Sequence, residues 1–101
     1  MVRNGQERIL LILRKHAPEL QAAGLAHLRL FGSVARGEAG THSDVDLLAE
    51  FDRSKRATLV TVGSLESRLG DLLGAKVDLS SANWMREPIR KQALQEAVLA
   101  F

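Results

Sequence analysis

A chain of 101 residues and 11.1 kDa, 46% hydrophobic and 26% charged, has the proportions of one ordinary globular domain. That argues against a second domain and against a disordered or low-complexity segment. Fourteen basic and 12 acidic residues leave a net charge of +2, too small a surplus to argue for direct nucleic-acid binding. Cysteine is absent, which removes disulfides, thiolate metal sites and cysteine nucleophiles together.

The longest aliphatic run, Ile9–Leu13, is far shorter than the roughly 18 residues of a membrane helix, so a soluble, cytoplasmic chain without membrane contact is expected. Tyr is missing and aromatics total 4%, which leaves no platform for stacking single-stranded bases.

In chain order, residues 4–16 predict a helix with Ile9, Leu10, Ile12 and Leu13 near one face. Pro18 opens a second short helix, Pro18–Ala23, and Gly24 suits its end. Leu28–Phe31, bounded by Gly32, reads as a buried strand. From Gly32 to Ser43 the chain is loop-rich, with one helical turn expected around Val34–Arg36. Val45–Glu50 is a second strand. Residues 57–73 place Leu59, Val62, Leu65, Leu69, Leu72 and Leu73 at helical spacing, and Gly74 stops that helix. Lys76–Ser80 is a third strand, and residues 86–99 a last helix with Ile89, Ala93, Leu94 and Val98 inward. Strands alternating with helices predict one α/β (α+β) domain over residues 1–101, a small mixed sheet of about three strands packed with helices.

The chemistry lies in Asp44-Val45-Asp46. Residues two apart in a strand share a face, so both carboxylates project together, away from Val45 and Leu47. Adjacent carboxylates repel and aspartate is a poor strand former, which calls for compensation by a divalent metal. Val77-Asp78-Leu79 repeats the pattern. If the two strands are neighbours, Asp44, Asp46 and Asp78 converge as a ligand set suited to Mg²⁺. Upstream, Gly32-Ser33 ends a strand and runs toward Arg36. Glycine allows close approach, the serine hydroxyl adds a donor, and a helix N-terminus adds partial positive charge, so a phosphate can sit there. A phosphate loop beside a carboxylate triad is the layout of metal-assisted phosphoryl or nucleotidyl transfer. The Walker pattern is absent, which speaks against a P-loop NTPase.

Gly32-Ser33, ten intervening residues and Asp44-Val45-Asp46 match the signature of the polymerase-beta-like nucleotidyltransferase superfamily. The longer string Leu30–Leu48, with Lys76-Val77-Asp78-Leu79 and the closing helix, resembles the minimal nucleotidyltransferases, the antitoxins of HEPN toxin–antitoxin pairs. The resemblance implies the nucleotidyltransferase fold and transfer of AMP or another nucleoside monophosphate from ATP or another NTP to a hydroxyl. It implies one or two Mg²⁺ ions on Asp44 and Asp46, with Asp78 as a further carboxylate that activates the acceptor. It also implies a triphosphate on Gly32 and Ser33, with Arg36 beside it, and a hetero-oligomer with a HEPN-type toxin carrying the acceptor. A chain of 101 residues leaves no room for the extra helical domain of relatives that modify small molecules. With no Tyr, the chain cannot modify itself on tyrosine.

Two other readings stay open: a binding module that neutralises its partner without catalysis, and one half of a split small-molecule transferase. Individual residues also have plain alternatives. Asp44 and Asp46 can be a solvent-facing strand end, Asp78 an edge-strand charge, and Gly32-Ser33 a simple turn. Arg36 can pair with Glu38. His16, His27 and His42 share no ligand spacing. Trp84 is expected to pack under the last helix, with anchoring of a partner as the alternative, and Arg53, Lys55 and Arg56 to form a solvated loop.

Overall fold

The computed structural model describes residues 5–32, 44–55 and 57–101. Among these, the order is α1 (Gly5–Lys15), α2 (Ala17–Ala22), β1 (Leu25–Phe31), β2 (Val45–Phe51), α3 (Leu59–Leu73), β3 (Val77–Ser81), a 3-10 turn at Ala82–Trp84, α4 (Ile89–Glu96) and β4 (Val98–Leu99). The strands form one sheet in the order β3-β2-β1-β4. β1 runs antiparallel to β2 and β4, whereas β2 and β3 are parallel. Parallel neighbours need a crossover, and α3 provides it.

Local chemistry fixes the ends of α3. The Thr58 side chain accepts the Thr61 N–H at 3.2 Å, satisfying a donor that the first turn leaves over. At the other end Gly74 takes φ 63°, and its N–H reaches Gly70 O at 2.8 Å, a left-handed cap that a side chain would strain. Between the caps, Val62, Leu65, Leu69 and Leu73 are buried at steps of three and four. They meet Ile9 and Leu13 of α1, Leu20 of α2 and the inward residues of the sheet in one core.

Strand alternation then sorts the sheet into two faces. Val45, Leu47, Ala49 and Phe51 of β2, with Val77 and Leu79 of β3, belong to that core. Leu48 points the other way and packs with Ala82 and Ala93, flanked by Phe31, Met85, Leu94 and Ala97. α4 therefore covers the middle of the second face through Leu48. Beyond it, Glu50 is held by Arg29 at 2.7 Å and by Arg90 of α4 at 3.5 Å, which ties that helix to the sheet.

Four expectations are corrected. The sheet has a fourth strand, because the last helix ends at Glu96 and residues 98–99 pair with β1. Arg14 of α1 secures this edge, with Nε donating to Ala100 O at 2.8 Å and Nη2 to Leu99 O at 3.2 Å. β1 starts at Leu25, three residues earlier than its apolar run suggests, through an irregularity between Leu25 and His27. Trp84 is exposed. Asn83 bonds the N–H and C=O of Phe51 at 2.9 and 3.3 Å, Ala82 takes the buried place, and Trp84 is left outside. Ile89 and Leu59, each the first residue of its helix, are exposed as well. The inward stripes begin at Ala93 and Val62, a turn or so later.

Arg53 and Lys55 are solvated as expected. The helical turn expected at residues 34–36, and Arg56, lie outside the described residues. Among the described residues, no helix is long and apolar enough to cross a membrane.

Candidate functional site

Asp46 and Leu48 share the sheet face that α4 covers, but Asp46 lies one step beyond the cover, toward the start of β2. The parallel register sets Asp46 opposite Asp78 and Val45 opposite Val77. Continuing that register by one residue sets Asp44 opposite Lys76, whose C=O accepts the Val45 N–H at 2.9 Å. With neighbouring strands about 4.8 Å apart and alternate residues roughly 6.6 Å apart, four side chains mark the corners of a small rectangle. Asp44 and Asp46 form one side, Lys76 and Asp78 the other. Asp46 is half-buried, and Asp44, Lys76 and Asp78 are exposed. The Lys76 ammonium lies 3.9 Å from Asp44 Oδ2.

Across β2, Phe31 of β1 is the register partner of Asp46, which brings Gly32 alongside the same carboxylate. Gly32 has φ 69°, in the left-handed region where a side chain is strained. A Cβ built there would run into Asp46 Oδ2 and stand 3.2 Å from its Cγ. Gly32 is thus required twice, once by its backbone angle and once by the space Asp46 needs. This cradle, with hard oxygen donors around it, suits a small divalent cation that takes a few carboxylates and completes its shell with water and phosphate. The side-chain tips are less gathered than the backbone. Among the described residues, no three His, Cys, Asp or Glu side chains come close enough to hold one ion together.

Ser33 and Arg36, the other expected phosphate contacts, and His42 lie outside the described residues. His16 approaches Glu19 Oε2 at 3.3 Å and His27 approaches Phe101 O at 3.3 Å, so neither joins the aspartates. Lys76 is the site residue that motif reading passed over. Its signal was present, since it stands two residues before Asp78 and shares that alternation.

A cleft of about 540 Å³ lies toward the other end of β2, lined by His27, Glu50, Arg53, Asn83, Glu87 and Arg90 among others. Its charges largely satisfy one another: Glu50 takes Arg29 and Arg90, and Arg90 also meets Glu87 at 3.5 Å. Nothing there matches the chemistry of the aspartate rectangle.

Comparison with known proteins concerns the chain as a whole. Residues 8–100 match the model of a family described as nucleotidyltransferase domain. The protein adenylyltransferase MntA of Thermococcus cleftensis is 39% identical over 93 residues, covering 91% of this chain and 92% of that protein. A solved structure of a proposed minimal nucleotidyltransferase superposes with a TM-score of 0.75 at 37% identity, covering 95% of each chain. A re-refined structure of a tri-AMPylated Shewanella oneidensis HEPN toxin in complex with its MNT antitoxin shares the fold, with a TM-score of 0.59 at 18% identity, covering 96% of this chain and 69% of that one.

Proposed function

Because the chain belongs to the nucleotidyltransferase domain family, we propose that it transfers AMP from ATP to a hydroxyl of a partner protein, a HEPN-type toxin, and acts as its antitoxin. The observation that carries this reading is the register of Asp46 against Asp78 beside Gly32. It combines carboxylates on two adjacent strands with a side-chain-free approach to one of them. The relative named a protein adenylyltransferase supports the reaction class. The fold-level neighbour seen with an AMPylated HEPN toxin supports the partner.

In this reading Asp44 and Asp46 hold Mg²⁺. When bound, Mg²⁺ neutralises triphosphate charge and favours the ionised form of the attacking oxygen. Gly32 and Ser33 cradle the phosphates, and Arg36 adds a cationic contact. Asp78 orients the acceptor hydroxyl and takes its proton. The acceptor oxygen bonds to the α-phosphorus, the bond from that phosphorus to the bridging oxygen breaks, and pyrophosphate leaves with the electron pair. A tyrosine acceptor, with a pKa of about 10, needs such assistance at neutral pH.

The test is the intact mass of the HEPN-type partner after co-expression with this chain or with its Asp44→Ala, Asp46→Ala form. A mass increase by whole AMP units, present only with the aspartates, supports transfer. A partner that is unmodified yet still bound and neutralised makes this chain a binding module instead.

A further inference from the structure

We propose that Lys76 is a counter-cation of the aspartate site: it partners Asp44 until a divalent ion arrives, and so strengthens the dependence of cation binding on nucleotide. This inference rests on the nucleotidyltransferase reading of the site.

The placement of Lys76 is set by the sheet. Its carbonyl accepts the Val45 N–H at 2.9 Å, which fixes its backbone across from Asp44. Alternation with Asp78 turns its side chain onto the acidic face, where the ammonium lies 3.9 Å from Asp44 Oδ2. The rectangle therefore carries three carboxylates and one ammonium. Without the lysine, the carboxylates of Asp44 and Asp78 would stand on a backbone patch about 5 by 7 Å across with no cation from β3. With it, Asp44 has a partner on the neighbouring strand.

The pair is built to be exchanged. Both side chains are exposed, 81% for Lys76 and 51% for Asp44. Solvent screens such a contact, and it is easily broken. A divalent ion on Asp44 and Asp46 repels the ammonium and displaces it from Asp44. Alone, the ion leaves that ammonium without a partner beside a new positive charge. Arriving with a triphosphate, it brings anionic oxygens that the freed ammonium can meet. Lys76 thus opposes the bare ion and favours the ion–nucleotide pair, a coupling added to the one that phosphate oxygens supply by completing the ion's shell.

The experiment measures Mn²⁺ binding to the full chain by electron paramagnetic resonance, with and without the non-hydrolysable analogue AMP-PNP. It compares wild type, Lys76→Met and Lys76→Arg, each checked for folding by circular dichroism. Removing one positive charge a few ångströms from a divalent ion in a solvated setting corresponds to about a threefold to tenfold effect. Lys76→Met is expected to bind Mn²⁺ alone tighter by that factor, with the enhancement by AMP-PNP reduced to match, while Lys76→Arg behaves as wild type. A Lys76→Met affinity for Mn²⁺ alone equal to or weaker than wild type overturns the assignment. Wild-type protein that binds no Mn²⁺ with or without AMP-PNP overturns the metal-dependent reading of the site, and this inference with it.

Discussion

The carboxylate of Glu66, in the middle of α3, accepts the backbone N–H of Leu79 in β3 at 3.0 Å. Among the described residues, β3 is an edge strand with β2 on one side only. The Lys76 C=O faces β2, so alternation turns the Leu79 N–H to the outer side. An unpaired N–H on a sheet edge is a template for another strand. Glu66 occupies it and ties the crossover helix to the strand it leads into. Glu66→Ala is expected to cost about 1 kcal/mol and to raise self-association in sedimentation velocity. Glu66→Gln, which keeps a carbonyl oxygen in place, is expected to stay monodisperse like wild type.

Gly32 yields a sharper test. Its φ of 69° and the collision of an added Cβ with the Asp46 carboxylate act in the same direction. Gly32→Ala is expected to lose about 1–2 kcal/mol from backbone strain, and each kcal/mol lowers Tm by about 4–8 °C in a domain this small. AMP-PNP affinity is expected to fall in the same variant, since Asp46 must move. Thermal melts and calorimetric titration check both. Unchanged nucleotide binding at a lowered Tm would separate the strain from the site.

Ser81 carries a different kind of cost. It is the register partner of Ala49, and its Oγ is buried with no hydrogen-bond partner among the described residues. A buried hydroxyl without a partner gives up its hydration for nothing in return. Ser81→Ala is expected to be neutral or more stable by up to about 1 kcal/mol, read from the urea midpoint at constant m-value.

The pH dependence of stability has one identifiable contributor between helices. Arg68 of α3 donates to Glu19 of α2 at 2.8 and 3.3 Å. These hydrogen bonds hold the Glu19 carboxyl below its ordinary value of 4.5, assisted by charge attraction, and raise the Arg68 guanidinium in turn. A depressed carboxylate adds stability that is complete above the unfolded pKa and fades as pH falls through the folded one. Glu19→Gln is therefore expected to be slightly less stable than wild type at neutral pH, and the gap to close below about pH 4. Both groups are exposed, so the gap is small and shrinks further in high salt. Denaturant midpoints across pH 3–7 measure it.

What the sequence made legible was local or periodic. The 3.6-residue rhythm of α3 and the stop at Gly74 needed no partner to be seen. The alternation around Asp46 and Asp78 fixed which face the carboxylates take, and the guess that their strands are neighbours fits the register. What stayed hidden depends on contacts far apart in the chain. Val98 and Leu99 continue an apolar helical pattern and become a strand only because β1 offers an edge. Trp84 reads as a core residue, but the hydrogen bonds from Asn83 to Phe51 settle which way its turn faces. Lys76 looks like any strand-flanking lysine until the parallel register sets it opposite Asp44.

The clasp that Arg14 forms on the Leu99 and Ala100 carbonyls also bears on the order of assembly. It joins residues 86 positions apart, and the pairing it supports is only two residues long. Closing so long a loop costs chain entropy before the contacts form, and so short a ladder returns little against it. β1, β2 and β3 with α3 can assemble from nearer segments, leaving β4 to dock after the rest has formed. By the same reasoning β4 is the part of the sheet that opens first, and its amides exchange with solvent well before those of β2.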